Sequence, residues 1–344
     1  MKIINLCDTI DKIDLKDRKI LYHLIINSRQ SFNSIGKKVG LSKDIVAFRI
    51  KRLEKKGIIV NYTTEIDPAV LGWGVIRYYF IFQFVNPEIK QEIIDYFVNS
   101  ELVIYVAELE GSYDLQVNIY VTSLRSLEFP FKYPTLYLKF LSFYDETQKK
   151  YRKYFDEQII TVFSKNTSFL PNFLLGDKKL APSPMPISST FLDAQIDKLD
   201  YEILKKLAIN ARIPTVKLAN DLNVTTKTIK SRIKRMVDEK IVTSFSTIGD
   251  GTKIGYKNYK LEINLKDYDK KHEIIKYIQK NPNILVISET FGRGVDLDFG
   301  FALKDQTQLL DIINDLSSKF PETIKNFRYF SIIKYHKYNL IPFK

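Results

Sequence analysis

The side chains best placed for chemistry are basic and small polar ones that recur in two short stretches of the chain. The first stretch holds Ser42, Lys43, Asp44, Ala47, Arg49, Lys51 and Arg52, and the second holds Thr225, Thr226, Lys227, Lys230, Arg232, Lys234 and Arg235. Such side chains, presented from the start of a helix, can contact base edges and phosphates in the major groove of DNA. We therefore predict that both stretches bind double-stranded DNA.

Few residues are of the types that carry catalysis or bind metals. The chain has one Cys and three His, and His23, His272 and His336 form no cluster in the sequence. The sequence contains no Cys/His metal spacing, no nucleophile elbow and no phosphate-binding loop. We therefore predict that the protein is not an enzyme and that it holds neither a metal nor a cofactor.

The composition favours a soluble protein with a polyanionic partner. The 344 residues carry a formal net charge of +13, and a basic surface gains affinity for phosphates by releasing their counterions. No apolar run approaches the about 20 residues of a membrane span, and acidic residues interrupt the N-terminal segment where a signal peptide needs an apolar core. Because the single Cys7 cannot form an internal disulfide, we expect a cytoplasmic protein with no membrane partner.

An internal repeat organises the two basic stretches. An offset of 183 residues separates Asp17 from Asp200, and it holds without a gap over more than 50 residues. The same offset matches Asp14, Ile20, Leu21, Leu24, Asn27, Arg29 and Arg49 with Asp197, Ile203, Leu204, Leu207, Asn210, Arg212 and Arg232. Chance is a poor explanation for so long a match, so the chain holds two copies of one unit.

Each copy predicts three helices, of which the third follows a tight turn. In the first copy Gly40 lies in the turn, and Ser42 caps a third helix that runs to about Lys56. In the second copy Asn223 and Thr225 take these places. Two helices joined by such a turn, with a basic second helix, predict a helix-turn-helix unit in each copy.

The third helix has an inward face and a reading face. Val46, Ile50 and Leu53 share one side and would pack inward. The reading positions are Lys43, Asp44, Ala47 and Lys51, with the counterparts Thr226, Lys227, Lys230 and Lys234. The two copies share Lys at the fourth position and differ at the other three, which predicts an imperfect palindrome with unlike halves. Arg49, Arg52, Arg232 and Arg235 are expected to contact phosphates or to form structural pairs rather than to read bases.

The region after each helical unit predicts a second kind of domain. An extended segment, suited to a wing or hinge strand, leads into the pattern of a ferredoxin-like βαββαβ sandwich. The predicted fold class is therefore α+β, with winged helix-turn-helix domains at residues 1–66 and 193–248, sandwiches at 67–164 and 249–344, and a Pro-rich linker at 165–192. The first sandwich holds extra residues near Leu124 to Phe140, either a covering loop or a tolerated insertion.

This organisation resembles the Lrp/AsnC, or feast/famine, family of prokaryotic regulators, in a tandem form that looks more archaeal than bacterial. The resemblance covers nearly the whole chain, because each of the two copies resembles a member of the family. In the first copy it is carried by residues 15–21 (LKDRKIL), 27–29 (NSR), 39–42 (VGLS), 49–54 (RIKRLE) and 110–115 (EGSYDL). It implies control of transcription through dimers, or rings of dimers, held together by the sandwich domains.

The resemblance also implies an effector, such as an amino acid, at the turn between the second and third strands of each sandwich. That turn holds Gly111, Tyr113 and Asp114 in the first copy and Gly292 and Asp296 in the second. Two assemblies are open. The two sandwiches of one chain could pair as an intramolecular pseudo-dimer, or two chains could form a homodimer.

Two other functions are consistent with the same architecture. Siroheme decarboxylases resemble it and also exist as fused pairs, but they need His and Arg near the sandwich strands, and no His of this chain lies in the corresponding first strand or turn. A ligand-sensing assembly protein that has lost DNA binding is the other alternative. The two basic third helices argue against it.

Overall fold

The computed structural model describes residues 4–5, 10–71, 73–122, 134–176, 183–186, 194–292, 295–338 and 341. The helices are α1 (Leu15–Ile26), α2 (Phe32–Val39), α3 (Lys43–Lys55), α4 (Pro87–Asn99), α5 (Pro134–Tyr151), α6 (Lys198–Ile209), α7 (Thr215–Asp221), α8 (Thr226–Asp238), α9 (Lys271–Ile278) and α10 (Gln306–Lys319). The strands are β1 (Ile4–Asn5), β2 (Ile59–Ile66), β3 (Trp73–Phe82), β4 (Val103–Gly111), β5 (Leu115–Thr122), β6 (Phe155–Phe169), β7 (Pro184–Pro186), β8 (Val242–Gly249), β9 (Lys257–Leu265), β10 (Ile284–Gly292), β11 (Leu297–Leu303) and β12 (Ile324–Tyr338). This order confirms the predicted α+β class, with two helix-turn-helix units and two βαββαβ sandwiches.

Side-chain caps fix where the helices of the first unit begin. At the start of α1, Asp14 accepts a hydrogen bond from the backbone N–H of Asp17 at 2.8 Å, and Asp17 accepts one from the N–H of Asp14 at 3.3 Å. This reciprocal capping box satisfies two backbone donors that the helix itself leaves unpaired. At the start of α3, the hydroxyl of Ser42 accepts a hydrogen bond from the N–H of Ile45.

The turn before each third helix requires a left-handed backbone. Gly40 has a φ of 67°, and Asn223, at the equivalent position of the second copy, has a φ of 54°. Glycine adopts this conformation without a steric penalty, and Asn tolerates it better than most residues. The turn is therefore the same in both units although its residue differs.

A ribbon of two strands joins the helical units. Strand β2 of the first unit pairs antiparallel with β8 of the second, from Ile59 opposite Gly249 to Ile66 opposite Val242. Helix α1 packs on β8 and α6 packs on β2, so each unit rests on the strand of the other. The segments that the sequence predicted as wings or hinges thus connect the two units.

The two sandwich sheets close into one eight-stranded barrel. The first sheet has the order β4-β5-β3-β6 and the second β10-β11-β9-β12, each the order of a ferredoxin-like fold. Strand β6 pairs with β10, and β12 pairs with β4, so both edges of each sheet are covered by the other sheet. Helices α4 and α5 pack outside the first sheet and α9 and α10 outside the second.

The structure corrects the predicted start of the linker. Residue 165 was expected to begin a Pro-rich linker, but β6 continues to Phe169 because its second half pairs with β10. A short 3-10 helix, Asn172–Leu175, follows and buries Leu174 in the core of the first helical unit. Of the predicted insertion near Leu124 to Phe140, residues 134–140 belong to α5, and 124–133 lie outside the described residues.

Among the helices that the structure describes, none is both long and apolar enough to cross a membrane.

Candidate nucleic-acid interface

Helix α3 presents its predicted reading face to solvent. The side chains of Val46, Ile50 and Leu53 are fully buried, which fixes the orientation of the helix about its axis. On the opposite side Ser42, Lys43, Asp44 and Lys51 are exposed and Ala47 is half-buried. The structure therefore brings the predicted reading positions of the first unit together on one accessible surface.

Helix α8 presents an equivalent but more basic surface. Its core side is held by Ile229 and Met236, both fully buried. The opposite side exposes Thr225, Thr226, Lys227, Lys230 and Lys234. No acidic residue occurs in the chain between Asn223 and Val237, so α8 itself places no negative charge among these lysines.

Two further residues of α3 belong to its exposed surface but were not predicted from the sequence. Ile45 is 45% exposed and Phe48 is 64% exposed. The 183-residue offset places the polar Thr228 and Ser231 at these positions in α8. Ile45 and Phe48 could have been identified in the sequence, because both are apolar yet do not lie on the buried side of the helix. The exposed surfaces of α3 and α8 therefore differ in apolar as well as charged side chains.

The four arginines of the third helices are engaged in structural ion pairs. Arg49 lies 2.7 Å from Asp14 and 2.9 Å from Asp17, and Arg52 lies 2.6 Å from Asp17. Burial opposes ionisation of Asp14, but hydrogen bonds from the Asp17 N–H and from Arg49 outweigh it and lower the pKa of Asp14. These contacts match the structural-pair alternative, and they tie the third helix to the start of the first.

The second unit repeats this arrangement. Arg232 lies 2.5 Å from Asp197 and 3.2 Å from Asp200, and Arg235 pairs with the same Asp200 carboxylate. Asp200 is fully buried, as Asp17 is in the first unit. In each unit the third helix is therefore held by an equivalent buried carboxylate, which pairs with two arginines of that helix.

A pair of equivalent arginines also links the two helical units. Arg29 donates to the backbone oxygens of Ala211 at 2.5 Å and Ile213 at 3.2 Å, and Arg212 donates to the backbone oxygen of Ser28. Burial, together with the nearby charge of Arg212, lowers the pKa of Arg29. With the ribbon, these bonds fix the position of one recognition helix relative to the other.

The hairpin turn predicted to bind an effector in the first sandwich is fully engaged within the protein. Gly111 has a φ of 125°, and a Cβ atom there would lie 2.8 Å from the backbone oxygen of Tyr329. Tyr113 is buried, stacks on Tyr79 with ring centroids 4.2 Å apart, and donates to Glu262 at 2.7 Å. Asp114 accepts the N–H of Phe82 at 2.7 Å. Packing and backbone pairing thus account for these residues without a ligand.

The corresponding turn of the second sandwich has the same structural carboxylate. Asp296 accepts the N–H of Leu265 at 2.7 Å, as Asp114 does with Phe82. Gly292 ends β10 opposite Thr161 of β6. Because both Asp side chains hold the end of a neighbouring strand, their repetition in the sequence has a structural cause.

The three histidines lie apart from one another. His23 is half-buried in α1, where burial lowers its pKa, and His272 is exposed on α9. His336 lies on β12 with its Nε2 atom 3.2 Å from Glu108. Within the described ranges, no group of three or more His, Cys, Asp or Glu side chains could hold a metal ion.

Known proteins resemble this chain in sequence and in fold. The AsnC-type helix-turn-helix domain matches residues 13–54 and again residues 196–237. The HTH-type transcriptional regulator Ptr1 of Methanocaldococcus jannaschii is 32% identical over 105 residues, which cover 30% of this chain and 68% of Ptr1. The HTH-type transcriptional regulator Rv2324 of Mycobacterium tuberculosis is 32% identical over 120 residues, which cover 34% of this chain and 79% of that regulator.

A solved structure shares the architecture over almost the whole chain. The siroheme decarboxylase NirDL superimposes with a TM-score of 0.60 and covers 95% of this chain and 94% of its own, at 13% sequence identity. That likeness concerns the fold alone, whereas the sequence matches fall on both helical units. The chain therefore belongs to the Lrp/AsnC family of helix-turn-helix transcriptional regulators, in a tandem form that carries the helix-turn-helix domain twice.

Proposed function

We propose that this protein is a DNA-binding transcription regulator whose two helix-turn-helix units read the two unlike halves of an imperfect palindrome. The observation that carries the proposal is the pair of exposed recognition surfaces on α3 and α8. They share buried frameworks but differ at Lys43 and Thr226, at Asp44 and Lys227, and at Ala47 and Lys230. Unlike reading residues select unlike half-sites.

One chain supplies both halves of this reader. The ribbon of β2 and β8 and the closed barrel pair the two copies within the chain, in the manner of an intramolecular pseudo-dimer. Arg29 and Arg212 add direct bonds between the helical units. We therefore propose that a single chain occupies a full site, with the distance between half-sites set by these contacts.

The other functions considered above receive less support. The likeness to NirDL is one of fold and gives no residue of this chain a catalytic role. The internal contacts of Tyr113, Asp114 and Asp296 do not favour an effector at the hairpin turns. A regulator that reads DNA directly is the function that the exposed basic helices support best.

Binding to DNA is expected to weaken steeply with salt. The reading faces expose five lysines, namely Lys43, Lys51, Lys227, Lys230 and Lys234. If each displaces one counterion, log K falls with log salt at a slope of about −4.5, or several hundred-fold between about 50 and 200 mM. Fluorescence anisotropy with genomic fragments measures this slope, and a slope near zero would contradict the proposed function.

A further inference from the structure

Helix α3 carries an exposed phenylalanine at the centre of its reading face. The side chain of Phe48 is 64% exposed, whereas Val46, Ile50 and Leu53 of the same helix are fully buried. At about 3.6 residues per turn, Phe48 projects almost directly away from these three side chains. It therefore lies where the helix faces solvent most fully, and not at the edge of the core.

A second exposed apolar side chain lies beside Phe48. Ile45 is 45% exposed, and residues three positions apart are neighbours on the surface of a helix. Neither residue belongs to the apolar core of the first helical unit. Ile45 and Phe48, here called the apolar pair, thus present adjoining apolar surface to solvent, and covering that surface with a partner is favourable.

The second unit indicates that the fold of the helix does not need the apolar pair. The equivalent residues of α8 are Thr228 and Ser231, by the 183-residue offset. Both are polar, and the hydroxyl of Thr228 lies 2.9 Å from that of Thr225 at the start of α8. Because α8 has the same buried framework and the same capped start with polar residues at these positions, folding does not account for the apolar pair.

The charges around the apolar pair suit the bases of DNA better than its phosphates. Asp44 is exposed one turn before Phe48, and its carboxylate repels phosphate groups. Lys51 and Lys55 are exposed one and two turns after Phe48 on the same side, where their charges favour contact with the phosphate backbone. The apolar pair thus lies between an acidic and a basic end, in the middle of the proposed reading face.

Thymine has an apolar group that such a surface can contact in the major groove. The edges of the other bases present hydrogen-bond donors and acceptors there, whereas thymine adds a 5-methyl group. Phenylalanine is among the side chains that make apolar contact with this methyl group. Because the side chains of Ile45 and Phe48 have neither donor nor acceptor, they cannot select a base by hydrogen bonding, and the methyl group is the feature of the base edge that they distinguish.

We propose that the apolar pair makes the half-site of α3 specific for thymine through its 5-methyl group. The half-site of α8, which meets the smaller and polar Thr228 and Ser231, depends less on thymine methyl groups. Burial of one methyl group against apolar surface changes Kd about four-fold. The apolar pair has this role only if the protein reads DNA, so the proposal rests on the proposed function and adds to it a chemical group that distinguishes the two half-sites.

Deoxyuridine tests the role of the methyl group, because it pairs like thymidine and lacks only that group. Fluorescence anisotropy compares the full-length protein on its selected site with the same site carrying deoxyuridine in place of thymidine in one half or in the other. For the wild type, we expect the replacement to raise Kd about four-fold per contacted thymine in one half and less than about two-fold in the other.

Matched variants assign this effect to α3. The double variant Ile45→Thr with Phe48→Ser gives α3 the residues that α8 has at these positions, and it is expected to lose the difference between thymidine and deoxyuridine. Leu310→Ser removes a 42% exposed apolar side chain from α10 and is expected to keep the difference. Because each protein is compared with itself on two DNAs, a general weakening of binding does not change this ratio.

The proposal is wrong if both halves respond equally to the loss of the methyl groups, whether by no change or by the same change. It is also wrong if selection yields no thymine in either half-site, or if the double variant keeps the full difference. In each of these cases the protein still reads DNA, and the proposed function stands. Absence of binding to any genomic fragment would instead contradict the proposed function, and with it the role of the apolar pair.

Discussion

Replacing both Lys227 and Lys230 by Ala is expected to abolish most of the specific binding to DNA. Both side chains are exposed on the same face of α8, one turn apart near its N-terminus, where a recognition helix enters the major groove. Loss of one base contact costs about 1–3 kcal/mol, so the double variant loses about 2–6 kcal/mol if the two effects add. Fluorescence anisotropy with the selected site should show Kd rising by roughly 30-fold to 10⁴-fold.

The pattern of loss distinguishes two roles for these lysines. Removing a side chain that reads a base relaxes selectivity at one position of the site. Removing a phosphate contact weakens binding to all sequences and reduces the salt slope by about 1. Lys319→Ala replaces an exposed lysine at the end of α10 and removes one positive charge, as each of the two single substitutions does, but away from both reading faces; it should bind like the wild type. Unchanged binding by the double variant would mean that the second unit does not read DNA.

Replacing Asp17 by Asn is expected to destabilise the first helical unit by about 3 kcal/mol. The carboxylate of Asp17 is 1% exposed, completes the capping box of α1 and accepts from both Arg49 and Arg52. Removing one partner of a buried ion pair leaves charges without compensation, which costs about 3–5 kcal/mol. We expect the lower end because Arg52 keeps access to solvent and Arg49 keeps Asp14.

Native-state hydrogen exchange measures this loss without assuming a single unfolding transition. The amides of α1, α2 and α3 should lose protection equivalent to about 3 kcal/mol, with a smaller change in the second unit. Asp311→Asn, on an exposed position of α10, should shift protection by less than about 0.5 kcal/mol. If Asp17→Asn matched that control, the ion pairs of Asp17 would not stabilise the first helical unit.

Local features of the structure could be predicted because they follow from local sequence patterns. The spacing of Val46, Ile50 and Leu53 gave the inward face of α3, and the caps at Ser42 and Thr225 gave the start of both third helices. The repeat placed the turn of the second copy at Asn223, the position equivalent to Gly40, and the structure shows a left-handed backbone at both. Hydrophobic periodicity and capping act within a few residues, so one sequence contains them.

Contacts between distant segments could not be predicted in the same way. The pairing of β2 with β8, and of β6 with β10, joins residues more than 100 positions apart. A strand reads as extended whether or not a partner covers its edge, so neither the ribbon nor the closed barrel has a local signal. For the same reason the linker was predicted to start too early, because the second half of β6 pairs with the distant strands β10 and β7.

The residues of the interface illustrate both situations. The exposed lysines could be identified from the sequence because they lie opposite an apolar stripe. The ion pairs of Arg49 with Asp14 and Asp17 could be anticipated only as one of two alternatives, since the partners lie on another helix.

Selection of binding sites from random DNA tests the central claim most directly. The wild type should select an imperfect palindrome, with one chain bound per site. A five-residue swap that gives α3 the surface of α8, namely Lys43→Thr, Asp44→Lys, Ile45→Thr, Ala47→Lys and Phe48→Ser, should select a site whose halves are alike. A symmetric site for the wild type, or unchanged halves for the swap, would contradict a built-in pair of unlike readers.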